Sequence, residues 1–246
     1  MTAMTRVAVV TGGVSGIGRA TCVRLAADGF TLAVADLDGD GAKAAAGPDG
    51  LGRGVDVGDA AAVEEFFAEV VATFGRIDVL VNNAGIAGSS EATILHTTPI
   101  EEWDRVFAVN VRGPYLCARA ALPVMIAAGG GHVITIASVA GQVAFPGRAA
   151  YTASKGAALQ MARSIAIDYA AQGIRSNAVC PGIAETNMTK WRLDQPELRA
   201  AVERLVPVGR VAQPDEIADA VSVLASDRLG YMTGSALVVD GGYTAQ

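Results

Sequence analysis

The chain has 246 residues, 51% of them hydrophobic and only 18% charged, with a net charge of −6. That length suits one large α/β domain, and an acidic chain without Lys/Arg runs is poorly suited to a nucleic-acid backbone or an anionic membrane surface. Cys22, Cys117 and Cys180 are odd in number and widely spaced, which argues against a disulfide framework or a cysteine-based metal site. The first residues turn glycine-rich too soon for a signal peptide, and no run approaches the ~20 apolar residues of a membrane helix, so the expected location is the cytoplasm.

Short, β-branched apolar runs alternate with longer helical patterns. In chain order the sequence predicts a strand at Val7–Thr11, a helix at Gly16–Asp28 and a strand at Thr31–Ala35. A weak helix with loops lies between Gly39 and Gly54, and Gly52–Asp56 is the third strand. In the next helix, Asp59–Phe74, Val63, Phe66, Phe67 and Val70 share one face. Then come a strand at Val79–Asn82, a long helix at Pro99–Ala128, a strand at His132–Ala137 and a helix at Tyr151–Gln172. Strand Arg175–Cys180, helix Pro214–Ser226 and strand Ala236–Asp240 close the chain. No repeat or linker divides it. The implied fold is a single α/β domain over residues 1–246, a doubly wound seven-stranded parallel sheet with helices on both faces.

The first strand runs into Thr11-Gly12-Gly13-Val14-Ser15-Gly16-Ile17-Gly18, and a helix follows. Gly12 allows a sharp turn, and Gly16 and Gly18 leave room for a backbone and a diphosphate to approach. The helix N-terminus, with Ser15 and Ile17 beside those glycines, aims N–H groups at the anion. The second strand ends at Asp36, whose carboxylate would accept from ribose hydroxyls and repel a 2′-phosphate. Val14 and Leu37 flank it where a phosphate would want Arg or Lys, so NAD is expected as cofactor over NADP. Asp38 and Asp40 nearby keep a plain surface turn open as the alternative. Asp56 and Val57, ending the third strand, are candidates for the adenine edge.

Tyr151 and Lys155 stand one helical turn apart on one face. A cation beside a phenol favours the phenolate and lowers its pKa from ~10. Ser138, at the end of the fifth strand, can donate to a substrate oxygen. With TGGVSGIG (11–18), Asp56-Val57, NNAG (82–85), Asn110, Ser138, YTASK (151–155) and PGIAET (181–186) in this order, the chain resembles a short-chain dehydrogenase/reductase over nearly its whole length.

The resemblance implies a Rossmann-like fold and hydride transfer between a nicotinamide and the carbinol carbon of an alcohol or ketone. Tyr151 is then general base in oxidation and acid in reduction. Lys155 lowers the Tyr151 pKa and binds the nicotinamide ribose, and Ser138 polarises the carbonyl. Asn110 helps hold a water-linked proton relay behind Lys155. Asn82, Ala84 and Gly85 line the adenosine side, and Pro181, Gly182 and Thr186 the nicotinamide side. Ala184 departs from the family's usual Ile or Val, at a contact made mainly by backbone. Homotetramers or homodimers are implied, and Ala153, Gly156, Ala157, Ala162 and Ala166 would let another helix approach. No metal is called for where Tyr151 handles the proton, and His96 and His132 read as loop or packing residues.

The substrate end is expected to involve Phe145 and Arg148, before Tyr151, and Trp191 and Arg192 in a lid at about 184–210. Two arginines near one pocket suit an anionic tail; for a lone lid arginine, a salt bridge with Glu185 or Asp194 is the commoner role. The segments 90–99, 138–157 and 188–201 resemble a branch of the family that oxidises secondary alcohols bearing a sulfonate, and there the arginines matching Arg148 and Arg192 engage that sulfonate. Residues 205–226 and VDGGY (239–243) also suit a 3-oxoacyl-[acyl-carrier-protein] reductase. A catalytically silent dinucleotide-binding protein is a reading of another class, opposed by the intact Asn110, Ser138, Tyr151 and Lys155.

Overall fold

The computed structural model of the chain describes residues 5–89 and 93–246. Its sheet is made by β1 (Val7–Thr11), β2 (Thr31–Asp36), β3 (Leu51–Gly54), β4 (Val79–Asn82), β5 (Gly131–Ile136), β6 (Ile174–Pro181) and β7 (Ala236–Val239). The strand order is β3-β2-β1-β4-β5-β6-β7, and every pairing is parallel.

Side chains alternate across each strand, so the central strands feed two cores. Ala8, Val10, Val34, Val81 and Ile134 pack with Cys22 and Leu25 of α1 (Gly16–Ala27), Ala42 of α2 (Gly39–Ala46) and Ile217 and Val221 of α9 (Pro214–Ala225). Val9, Ala33, Leu80 and Val133 pack on the other face with Phe66 and Phe67 of α3 (Ala60–Phe74), Leu116 and Met125 of α5 (Gly113–Ala127) and Ile165 of α6 (Ala149–Tyr169). The chain leaves β1 toward β2 and returns on its other side as β4. The carboxyl ends of β1 and β4 therefore border the crevice that such a reversal of strand order creates.

Three elements differ from expectation. β3 stops at Gly54, because its register is set by pairing Asp36 with Gly54; Asp56 lies in the following turn, its carboxylate accepting from Gly58 N at 2.8 Å. The long helix predicted at Pro99–Ala128 is interrupted. α4 (Ile100–Phe107) passes through one π turn at Ala108–Arg112 before α5 resumes. Residues 184–210, expected to form a lid, contain two helices, α7 (Asn187–Leu193) and α8 (Pro196–Glu203). Thr186 and Thr189 form a capping box that starts α7, and Leu193, Val202 and Val211 form a small separate core beneath α7 and α8. Of the five small α6 residues expected to admit another helix, Ala162 and Ala166 are buried within the chain, whereas Ala153, Gly156 and Ala157 are not.

His132 joins three elements. It lies inside β5, with Nδ1 2.9 Å from the Leu224 carbonyl of α9 and Nε2 2.9 Å from Asn177 Nδ2 of β6. The carbonyl requires a proton on Nδ1, leaving Nε2 to accept. Burial, helped by the Arg175 charge and opposed by the Leu224 carbonyl, pulls the imidazole down from 6.5 to about 3. The unfolded chain therefore binds a proton between those values that the folded chain does not, and stability falls as pH drops through this window, by about 1.4 kcal/mol per pH unit. Urea midpoints between pH 6.5 and 4.5 are expected to fall more steeply for the native chain than for His132→Gln. Equal slopes would contradict this account.

Candidate active site

A cleft of about 640 Å³ opens over the carboxyl ends of the strands, bordered by Gly12, Asp36, Asp56, Asn83, Ser138 and Tyr151. At one end β1 turns directly into α1. Ser15 caps that helix without any side-chain bond, so first-turn N–H groups face the cleft with no side-chain acceptor. Gly16 is held at φ +50°, and a Cβ there would lie 3.1 Å from the Thr186 side chain. A Cβ on Gly18 would strike the Gly12 carbonyl oxygen. These glycines leave a cradle of backbone donors that larger residues would fill, and its chemistry is that of a diphosphate site.

The Asp36 carboxylate ends β2 at the cleft wall and accepts from Val14 N at 3.0 Å and Asp38 N at 3.3 Å. Leu37 lines the cleft beside it. Val14 does not border the cleft and packs instead toward the α1–α2 core. Val57, Ala84 and Gly85 line the cleft with Asp56. Asn82 does not: as the last residue of β4 it is 3% exposed, with Nδ2 3.5 Å from the Pro114 carbonyl. The cleft residue is Asn83, which donates to the Thr11 and Gly12 carbonyls at 3.0 and 2.8 Å. Thr11 Oγ1 in turn accepts from Asn83 N and Ala84 N, both at 3.1 Å, locking the β4 turn against β1. Strand alternation was the signal, since successive residues of NN cannot face the same way.

At the other end β5 delivers Ser138, and the first two turns of α6 carry Tyr151 and Lys155. The Ser138 hydroxyl lines the cleft beside Tyr151 and accepts from Ala140 N at 3.0 Å. Lys155 is buried, and its Nζ donates to the Ile136 carbonyl at 2.8 Å. That bond holds the ammonium 5.7 Å from the Tyr151 ring centroid. Burial pulls Lys155 down to about 8. The expected lowering of Tyr151 by Lys155 is not what this arrangement produces. Burial pushes the phenol above its ordinary value, and the neighbouring Ser138 hydroxyl works in the opposite direction.

Asn110 sits in the π turn, a feature frequent at functional sites. It exchanges two bonds with Ile86, accepting from N and donating to O, both at 2.9 Å. Its Nδ2 also donates to Ser154 Oγ at 3.0 Å, and Ser154 Oγ donates to the Tyr151 carbonyl at 2.7 Å. A Cβ on Gly85 would lie 3.4 Å from Asn110 Oδ1 and 3.5 Å from Lys155 Nζ. Asn110, Lys155 and the Gly85 turn thus meet behind Tyr151. Ser154 was not singled out from sequence, although its place inside YTASK offered a signal.

Pro181, Gly182 and Thr186 form the opposite wall, with Trp191 from α7. Arg148 lines the same cleft, donates to the Ser89 carbonyl and lies over the Trp191 ring, 5.4 Å from its centroid. Arg192, next along α7, is half-buried and does not line the cleft; the helix turns it aside by about 100° relative to Trp191. Phe145 is also outside the cleft lining and packs on Tyr243 instead. Glu185, offered as a partner for a lid arginine, pairs with Arg199 at 2.6 Å. Arg105, Val109 and Met188 border the cleft as well; no motif marked the first two, and Met188 lies in the 188–201 segment.

Residues 12–244 match the protein family described as enoyl-(acyl carrier protein) reductase. The chain is similar to a 2-(R)-hydroxypropyl-CoM dehydrogenase of Xanthobacter autotrophicus, at 51% identity over 98% of this chain and 100% of the relative. It is similar to a D-threitol dehydrogenase of Mycolicibacterium smegmatis, at 40% identity over 97% and 93% of the two chains. A crystal structure of a short-chain type dehydrogenase/reductase from Mycobacterium marinum matches with a TM-score of 0.91 at 33% identity, covering 98% of this chain and 96% of that one.

Proposed function

The chain belongs to the short-chain dehydrogenase/reductase family, whose dehydrogenases act on CH–OH groups with NAD(P), and from that premise we propose that it uses NAD to interconvert a secondary alcohol and its ketone, the substrate carrying an anionic tail. A 2-hydroxypropyl thioether ending in a sulfonate, as in 2-hydroxypropyl-coenzyme M, is the substrate proposed. The observation that carries this reading is the Arg148 guanidinium in the same cleft as Ser138 and Tyr151.

The donors of the 12–18 turn would hold a diphosphate, Asp36 the adenosine ribose, and Lys155 with the Pro181–Thr186 wall the nicotinamide ribose and ring. The nicotinamide, when bound, supplies the hydride acceptor or donor. Ser138 holds the substrate oxygen, and Tyr151 takes its proton in oxidation or returns it in reduction. Asn110 keeps Ile86 and the Ser154 end of α6 in register behind Tyr151. Residues 184–210 act as the lid. A 3-oxoacyl-[acyl-carrier-protein] reductase would want a phosphate-binding cation beside Asp36, where the neighbours are Ala35 and Leu37. Tyr115 and Ile167, exposed apolar residues on α5 and α6, support a homodimer or homotetramer through these helices. Among the described residues no helix is long and apolar enough to cross a membrane.

Arg148→Ala is expected to raise KM about 10- to 100-fold for an anionic secondary alcohol, from the loss of one charge-assisted contact, and less than about 3-fold for 2-butanol. Arg192→Ala is expected to have a smaller effect, because α7 must turn before that side chain faces the cleft. Equal losses for the anionic and neutral alcohols in Arg148→Ala would overturn the anionic-tail assignment.

A further inference from the structure

The chain folds back after β7. The Asp240 carboxylate accepts from Gly242 N at 2.8 Å, Thr244 N at 2.8 Å and Thr244 Oγ1 at 2.6 Å. Burial pushes this carboxyl up, but the bonds from Thr244 and Gly242 outweigh it and hold the group below its ordinary value. The resulting turn touches three segments around the cleft. A Cβ on Gly182 would lie 2.8 Å from Asp240 Cα, so the turn backs the wall that Gly182 forms. The Gly241 carbonyl accepts from Val208 N at 3.1 Å, and Gln246 donates to the Leu205 carbonyl at 2.8 Å; both contacts fall on the segment between α8 and α9.

The third contact is aromatic. The Tyr243 and Phe145 rings meet edge to face at 5.8 Å and 75°. Phe145 lies in the loop between Ser138 and Tyr151, three residues before Arg148, the residue at which α6 begins. Around it Val143, Ala144 and Pro146 are exposed, and Gly147 turns the chain at φ +67°. A loop this exposed has little apolar burial to fix it, and Phe145 is its large half-buried side chain.

We propose that the C-terminal turn shapes the alcohol pocket, with Tyr243 as its positioning residue: the Tyr243 ring holds Phe145, and through it the 143–148 loop at the height from which Arg148 meets substrate. This rests on the reading that the loop forms the alcohol end of the cleft. It gives Phe145 a role at one remove from the substrate, and it ties pocket shape to the turn that follows β7.

The test compares Tyr243→Ala with Tyr243→Phe in the full-length chain. An edge-to-face pair of this kind predicts a 3- to 10-fold rise in KM for an anionic secondary alcohol in Tyr243→Ala, roughly the loss of one aromatic contact. kcat should stay within about 2-fold, and NAD affinity by fluorescence titration should not change. Tyr243→Phe keeps the ring and should retain native values. Amide hydrogen exchange over 143–148, which needs no substrate, should speed up in Tyr243→Ala alone. Unchanged exchange there overturns the proposal, as does a loss of NAD affinity equal to the rise in KM or an equal loss in Tyr243→Phe. Failure of the substrate assignment would leave the exchange result standing.

Discussion

Tyr151→Phe is expected to lose alcohol turnover by about 10³-fold while still binding NADH, within the range that one positioned proton-transfer group contributes. The substitution removes a single oxygen. The ring, the backbone of α6 and the Lys155–Ile136 bond stay, so the nucleotide wall keeps its shape. What disappears is the hydroxyl beside Ser138 in the cleft that can take the alcohol proton. Burial holds that phenol above its ordinary pKa, so the native enzyme should oxidise faster as pH rises toward the phenol's titration, and reduce faster as pH falls. Retention of turnover within 10-fold of the native chain would remove Tyr151 from the reaction.

The second large effect concerns the cofactor. kcat/KM with NAD should exceed that with NADP by about 100-fold or more, since bringing a 2′-phosphate against Asp36 juxtaposes like charges at a cost of several kcal/mol. The residues following β2 are Leu37, Asp38, Gly39 and Asp40, and no cation among them offsets that repulsion. Asp36 also anchors the backbone, accepting from Val14 N at 3.0 Å. Truncation to alanine would therefore mix two effects. Asp36→Asn keeps an acceptor for Val14 and removes the charge, and should narrow the preference by about 10-fold or more; adding Leu37→Arg should narrow it further. A native preference for NADP, or no change in Asp36→Asn, would contradict the role given to Asp36.

Much of this was legible in the sequence because the signals are local. The β-branched runs at Val7–Thr11, Val79–Asn82 and His132–Ala137 are too short for helices, and the 11–18 turn needs its glycines for contacts a few residues apart. Where sequence reading stopped short, the deciding physics lay elsewhere in the chain. Nothing within Leu51–Gly54 ends that strand; its pairing with β2 does. Asn82 and Asn83 are chemically identical, and strand alternation sends one into the core and the other to the cleft. Arg192 and Trp191 are neighbours in sequence, yet the phase of α7 turns them to different surroundings. Phe145 adjoins the Ser138–Tyr151 loop as expected, but a residue almost 100 positions later claims its ring. Lys155 shares a helix face with Tyr151, and its ammonium is nonetheless drawn to the Ile136 carbonyl, which no spacing rule within α6 contains.

The most direct test of the account follows the appearance of NADH when the purified chain is mixed with NAD and a panel of secondary alcohols, with and without sulfonate or carboxylate tails. NADH should form with secondary alcohols, fastest per unit of enzyme and substrate with the sulfonate-bearing ones, and Tyr151→Phe should abolish it. If NAD binds and no secondary alcohol yields NADH at any pH at which the protein is folded, the assignment of Ser138, Tyr151 and Lys155 to alcohol oxidation is wrong.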